Sequence, residues 1–165
     1  MRTRMKWIYL SFIAVSIFFF ALSQFYVAIH RGEWTEKEAA IEKAIEQTVL
    51  VKASTVEHFV GDETYTIVYG EDMAGKQLIV WMGQDEIHTE YAIDGMSKEN
   101  AKEQTLINHP NAQMLRVMPG KMKEFGYVWE VFFVKNDKAG DKQYYYAYYK
   151  FKDGAILDTY YLGAG

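Results

Sequence analysis

The sequence predicts an α+β protein: an apolar N-terminal helix, then two successive units, each a helix packed on an antiparallel sheet. Three observations carry that expectation. Trp7 to Ile29 is an apolar run without Asp, Glu, Lys or Arg. Beyond it the hydrophobic period changes twice from helical spacing to two-residue alternation. Both changes follow a hydroxyl residue placed to start a helix, at Thr35 and at Ser97.

The apolar run reads as a membrane anchor. As a helix it is ~34 Å long, enough to cross a hydrocarbon core of ~30 Å. Arg2, Arg4 and Lys6 precede it, Trp7 and Tyr9 mark one end, and Phe25 and Tyr26 mark the other. Residues 1–6 are therefore expected to be a basic cytoplasmic tail and residues 7–29 the span. Everything after it is expected outside the cell membrane. Ala21-Leu22-Ser23 offers a cleavage site of the kind that ends a signal peptide. The apolar run continues past it, longer than the ~7–15 residues of a signal core, which favours an uncleaved anchor.

Charge divides unevenly along the chain. Residues 1–33 carry four Arg or Lys against Glu33, a net of +3. Residues 34–165 carry 14 Lys and Arg against 21 Asp and Glu, a net of −7. An acidic head disfavours nucleic acid as a partner, because phosphates need Lys and Arg to neutralise them. With no cysteine in the chain, disulfides and thiolate chemistry are excluded.

Residues 30–34 are expected to be a short linker around Gly32. The first unit, residues 35–93, opens on Thr35-Glu36-Lys37-Glu38, a capping box in which hydroxyl and carboxylate satisfy helix-end N–H groups. A helix to about Val51 follows, with Ile41, Ala44, Ile45, Thr48 and Val49 on one stripe. Strands are expected at Thr55 to Val60, Tyr65 to Tyr69, Gln77 to Met82 and Ile87 to Ile93. The second unit, residues 95–165, restarts at Ser97 with a helix to about Ile107. Its strands are expected at Ala112 to Met118, Tyr127 to Val134, Tyr144 to Phe151 and Ala155 to Leu162. Pro119-Gly120 reads as a turn. Each unit alone has a marginal core, so the two are expected to pack together as one head.

Aligning Gln77 with Gln143 sets the faces. Leu78, Val80 and Met82 then face the first helix, and Ile79 and Trp81 match Tyr145 and Ala147 on the far side. That register makes Trp81, Tyr145 and Tyr149 candidate exposed aromatics for protein binding, unless the neighbouring unit covers them. A slip of one residue inverts the assignment.

No motif points to a reaction. His30, His58, His88 and His109 lack metal-ligand spacing. The acidic pairs Asp62-Glu63, Glu71-Asp72 and Asp85-Glu86 fall where turns are expected and read as solvated. No cofactor, metal or catalytic residue is expected.

The chain resembles the YpmB-like proteins of Gram-positive bacilli, also called the cell wall elongation regulator TseB-like family. The resemblance rests on Val56-Glu57-His58-Phe59-Val60-Gly61 leading into Tyr65-Thr66-Ile67-Val68-Tyr69-Gly70, and on Leu78-Ile79-Val80-Trp81. In the second unit it rests on Trp129-Glu130-Val131 and Gly154-Ala155-Ile156-Leu157. It implies two cystatin-like, or PepSY-like, units and a non-enzymatic role at the cell envelope. The implied partner is a penicillin-binding protein or another membrane-anchored wall-synthesis protein. The alternative is a PepSY-like inhibitor or maturation module for an envelope protease.

Overall fold

The computed structural model describes the backbone of residues 2–137 and 139–164, and the side chains of residues 15–26, 35–137 and 139–163. Residues 1–39 and 40–165 form separate compact units. Residues 1–39 hold most of one long helix, α1 (Arg2–Gln47). Its described stretch from Val15 to Tyr26 is exposed, with Phe20 at 67 %. Among the described residues no helix is long and apolar enough to cross a membrane. The side chains of Trp7 to Ala14 and of Val27 to Ile29, which complete the expected span, lie outside the described residues.

Helix α1 runs through residues 30–34 without a break, where a linker was expected. The capping box at Thr35 consequently does not begin a helix. One Gly costs about 1 kcal/mol relative to Ala. That is too little to interrupt a helix whose next residues, Glu36 to Ala40, are good helix formers.

Residues 40–165 hold two four-stranded antiparallel sheets, each in sequence order. Sheet A comprises β1 (Lys52–Val60), β2 (Thr64–Glu71), β3 (Gln77–Met82) and β4 (Ile87–Tyr91). A 3-10 turn (Ala92–Asp94) leads to α2 (Lys98–Asn108). Sheet B comprises β5 (Gln113–Met122), β6 (Gly126–Asn136), β7 (Lys142–Lys150) and β8 (Ile156–Ala164). Ser97 caps α2 as its sequence position implies, its hydroxyl accepting the Asn100 N–H at 3.0 Å.

Pro119-Gly120 lies inside β5 instead of turning the chain. Edge strand β5 tolerates a proline that has no N–H to donate. Gly120 is needed for space: a Cβ there would meet the Phe59 ring at 2.3 Å.

The two β-hairpins β2–β3 and β6–β7 are copies. Asp72 accepts the Ala74 and Lys76 N–H groups at 2.8 and 2.9 Å. Asp137 accepts those of Ala139 and Asp141 at 2.8 and 3.0 Å. Gly75 and Gly140 both take positive φ, +74° and +94°. Closure pairs Glu71 with Gln77 in one hairpin and Asn136 with Lys142 in the other. Gln77 therefore corresponds to Lys142, not to Gln143. The one-residue slip exchanges the faces of the second unit.

Two of the expected surface aromatics, Trp81 and Tyr149, are accordingly internal, and Tyr145 is half-buried against the core. Leu78, Val80 and Met82 do face the last turns of α1, packing with Ala40, Ile41 and Ala44. Their counterparts are Gln143, Tyr145 and Ala147, on the same face as Tyr149, which meets α2. Tyr149 is 1 % exposed and its hydroxyl meets that of Thr105 at 2.9 Å. Tyr145 stacks on Phe133, 5.3 Å between centroids. Trp81 points away from α1 as expected, yet it is fully buried. The second unit covers it with Tyr127 and Phe151, at 5.2 and 5.0 Å between centroids.

Polar contacts rim this aromatic joint. Trp129 Nε1 donates to the Met96 carbonyl at 2.7 Å. Lys121 pairs with Glu86, which also accepts the Tyr65 hydroxyl at 2.7 Å. The Lys123 N–H reaches Asp62 at 2.9 Å. The Lys121 contact first, then the Tyr65 hydrogen bond, holds the Glu86 carboxyl below its ordinary 4.5. Burial first, then Glu86 and Glu90, pushes the Tyr127 phenol up to about 12.

Two outcomes follow from this joint. Trp81→Ala is expected to destabilise the head by about 3–5 kcal/mol. Both sheets should still unfold in one urea transition, and separate transitions by circular dichroism and tryptophan fluorescence would contradict a shared core. For Glu86, the unfolded chain takes up its proton at a higher pH than the native one. Its stabilisation is thus complete above about pH 4.5 and is lost as pH falls through the lower native value. Glu86 is 40 % exposed in its side chain, so the contribution is expected to stay under about 1 kcal/mol. Melts of Glu86→Gln against the parent from neutral to acid pH should show the gap closing.

Candidate protein-binding surface

The face of sheet B that points away from α2 is built from alternate residues of β6, β7 and β8. Pairing places Phe132 opposite Tyr146, Glu130 opposite Tyr148 and Tyr146 opposite Tyr160. Period-two alternation then sets Phe132, Tyr144, Tyr146, Tyr148 and Tyr160 on one side. The rings form a connected row. Phe132 lies 6.0 Å from Tyr144 and 4.8 Å from Tyr146 between centroids. Tyr146 lies 6.3 Å from Tyr148, which meets Tyr160 edge-on at 5.8 Å.

Duplication shows what this face is for structurally. By the hairpin correspondence, Phe132, Tyr144 and Tyr146 occupy the positions of Ile67, Ile79 and Trp81 in the first unit. Those three are at most 4 % exposed, because the second unit packs on them. Among the described residues nothing packs on Phe132, Tyr144 and Tyr146 in the same way, and all three stay half-buried. Tyr160 at the rim is 43 % exposed.

A charged pair is set into the row. Glu130 is 3 % exposed, in the middle of the apolar run YVWEVFFV. Arg116 donates to it at 2.7 Å and the Tyr148 hydroxyl at 3.1 Å. Burial first, then the Glu130 carboxylate, raises the Tyr148 phenol well above its ordinary value, so Tyr148 remains a donor. The result is an amphipathic platform of rings, hydroxyls and one guanidinium, suited to holding another protein surface.

The surface thus uses the tyrosines opposite to the pair taken from the sequence. Trp81 and Tyr149 lie in the core, Tyr145 is half-buried against it on the α2 side, and the platform residues Phe132, Tyr144, Tyr146, Tyr160, Arg116 and Glu130 went unrecognised. The missed signal was the Asp-x-Ala-Gly turn, present in both hairpins, whose spacing fixes the register.

Other features gather no chemistry of their own. Among the described residues no three His, Asp or Glu converge to hold a metal ion. The cleft between α2 and the β7–β8 turn is lined by Asn100, Glu103, Lys152 and Asp153. There Asp153 accepts the Ala155 N–H at 3.0 Å and lies 3.5 Å from Lys150.

Arg116→Ala strands the buried Glu130 with a single donor. It is expected to cost about 1.5–3 kcal/mol in urea unfolding. Adding Glu130→Gln should recover part of that loss, since the buried charge is removed.

The comparisons with known proteins agree with one another. Residues 39–83, from the end of α1 through β3, match the cell wall elongation regulator TseB-like domain. Over 152 residues the chain is 32 % identical to the probable cell wall elongation regulator TseB of Bacillus subtilis (strain 168). That match covers 86 % of this chain and 89 % of the relative. Among solved structures, the YpmB protein from Bacillus subtilis superposes with a TM-score of 0.65 at 31 % identity, over 75 % of this chain and 95 % of that one. With its paired sheets and this extent of identity, the chain belongs to the cell wall elongation regulator TseB-like family.

Proposed function

We propose that this protein regulates cell wall elongation as a single-pass membrane protein. Its paired-sheet head lies outside the cell and binds a wall-synthesis protein, a penicillin-binding protein, close to the membrane. It acts by contact, without a reaction of its own. The uncovered aromatic platform on sheet B carries this reading: the same positions in the first unit already serve as a protein–protein-like joint. Family membership supports the regulatory role. The apolar run from Trp7 to Ile29 with its basic flank supports the anchor and its orientation. The acidic balance of residues 34–165 favours a protein neighbour over an anionic polymer or lipid surface.

The test is contact in living cells. A photo-crosslinking side chain at position 132, 144 or 146 is expected to recover a penicillin-binding protein. Tyr146→Glu, which puts a charge into the centre of the platform, is expected to lower that yield about tenfold. Recovery of no wall-synthesis protein from any of the three positions would remove the platform as the contact surface.

A further inference from the structure

The internal duplication supplies a template for whatever covers the platform. In the first unit the corresponding face is already covered, and the cover carries a definite pattern of charge. Three carboxylates rim that face: Glu57 on β1, Glu86 in the turn before β4, and Glu90 on β4. Each meets a lysine of the second unit. Lys98 lies 3.9 Å from Glu57 and Lys152 lies 3.8 Å from Glu90. Lys121 pairs with Glu86. Between them the rings of Tyr127 and Phe151 close over Trp81. The cover is thus a pair of rings bordered by cations.

Strand pairing carries these positions across to sheet B. Ile67 pairs with Glu57 on one side and Trp81 on the other. Its counterpart Phe132 pairs with Arg116 and Tyr146. Arg116 therefore stands where Glu57 stands, and the charge is reversed. Trp81 pairs with His88, and Tyr146 with Tyr160. Two residues before these lie Glu86 and Asp158, so the sign is kept there. Ile79 pairs with Glu90, and Tyr144 with Gly163, so the third carboxylate has no counterpart. Glu130 stands where the first unit has Tyr65, which makes its pair with Arg116 peculiar to the platform. Arg116 gives Nη2 to Glu130 at 2.7 Å, and the Tyr146 hydroxyl lies beside it. Its side chain is still 51 % exposed. A guanidinium has five donors in a fixed fork, so this one has donors to spare for a second carboxylate.

Resting on the reading of this platform as a contact surface, we propose that its partner is a protein surface bearing aromatic rings and a carboxylate, with the carboxylate seated on Arg116. The rings lie over Tyr146 as Tyr127 and Phe151 lie over Trp81. The carboxylate takes the place that Lys98 holds at Glu57, because the charge beneath it is reversed. A second copy of this chain does not offer such a cover. Its own Lys98 surface is taken up in its own joint, and that surface would set a lysine against Arg116. One charge-assisted pair at the edge of an aromatic patch fixes the register of the contact and rejects partners of the wrong sign.

The test uses the full-length chain in cells, with the photo-crosslinking side chain at position 144 and residue 116 varied. Glu130→Gln accompanies every variant, so that no buried charge is stranded, and each purified variant is checked against the parent by circular dichroism. In that background Arg116→Lys is expected to give about tenfold more crosslinked product than Arg116→Gln, and Arg116→Glu less again. The crosslink also identifies a partner segment. Replacing its acidic residue by lysine is expected to lower the yield with Arg116, and Arg116→Glu is expected to restore it. Equal yields from Arg116→Lys and Arg116→Gln, with the same partner still captured, overturn the seated carboxylate and leave the platform as a contact surface. Failure of the exchanged charges to restore the yield does the same. Capture of a second copy of this chain overturns the proposal, and a parent that captures nothing removes the platform and the carboxylate together.

Discussion

The head depends on the insertion of Trp81 between the two repeats. Each repeat, at roughly 60 residues, has only a marginal core alone. Trp81 resolves this by burying its whole ring against Tyr127 and Phe151 of the other repeat. Among the described residues its indole N–H finds no acceptor, a cost of about 1–3 kcal/mol that the burial of so large a ring offsets. Trp129 pins the connection between repeats through the Met96 carbonyl, which fixes where α2 begins. The placement of α2, and with it the choice of which sheet B face stays open, follows from that joint.

Two copies of one hairpin have diverged according to what covers them. Where the first repeat carries Ile67, Ile79 and Trp81, the second carries Phe132, Tyr144 and Tyr146. Branched aliphatics and indole suit a dry, fully enclosed joint. Phenols tolerate water at one end and an apolar surface at the other, so they suit a face that is open in the free chain. Arg116 and Glu130 fit the same logic: the carboxylate is buried and the guanidinium above it is half-exposed. The helix-facing sides diverge less in role. Val80 and Met82 meet α1 as Tyr145 and Ala147 meet α2.

The strands were legible because their alternation and their Gly-containing turns are local. Gln77 to Met82 was read residue for residue, and Ser97 was read as a cap. Pro119 misled because a proline signals a turn unless its strand lies at an edge, which depends on strands remote in sequence. Gly32 misled because helix continuity depends on the residues flanking a breaker as much as on the breaker.

The sequence by itself determined the composition of the chain: thirteen tyrosines, no cysteine, an acidic head and a tyrosine-rich strand whose alternate residues must part. It also determined the duplication, through the repeated Asp-x-Ala-Gly turn. Which tyrosines face inward was decided by tertiary structure, because a period of two makes a one-residue change of register a complete exchange of faces. Whether a face is open was decided there too. Trp81 and Tyr146 occupy equivalent positions on equivalent strands, and they differ because one repeat has a neighbour packed on it and, among the described residues, the other does not.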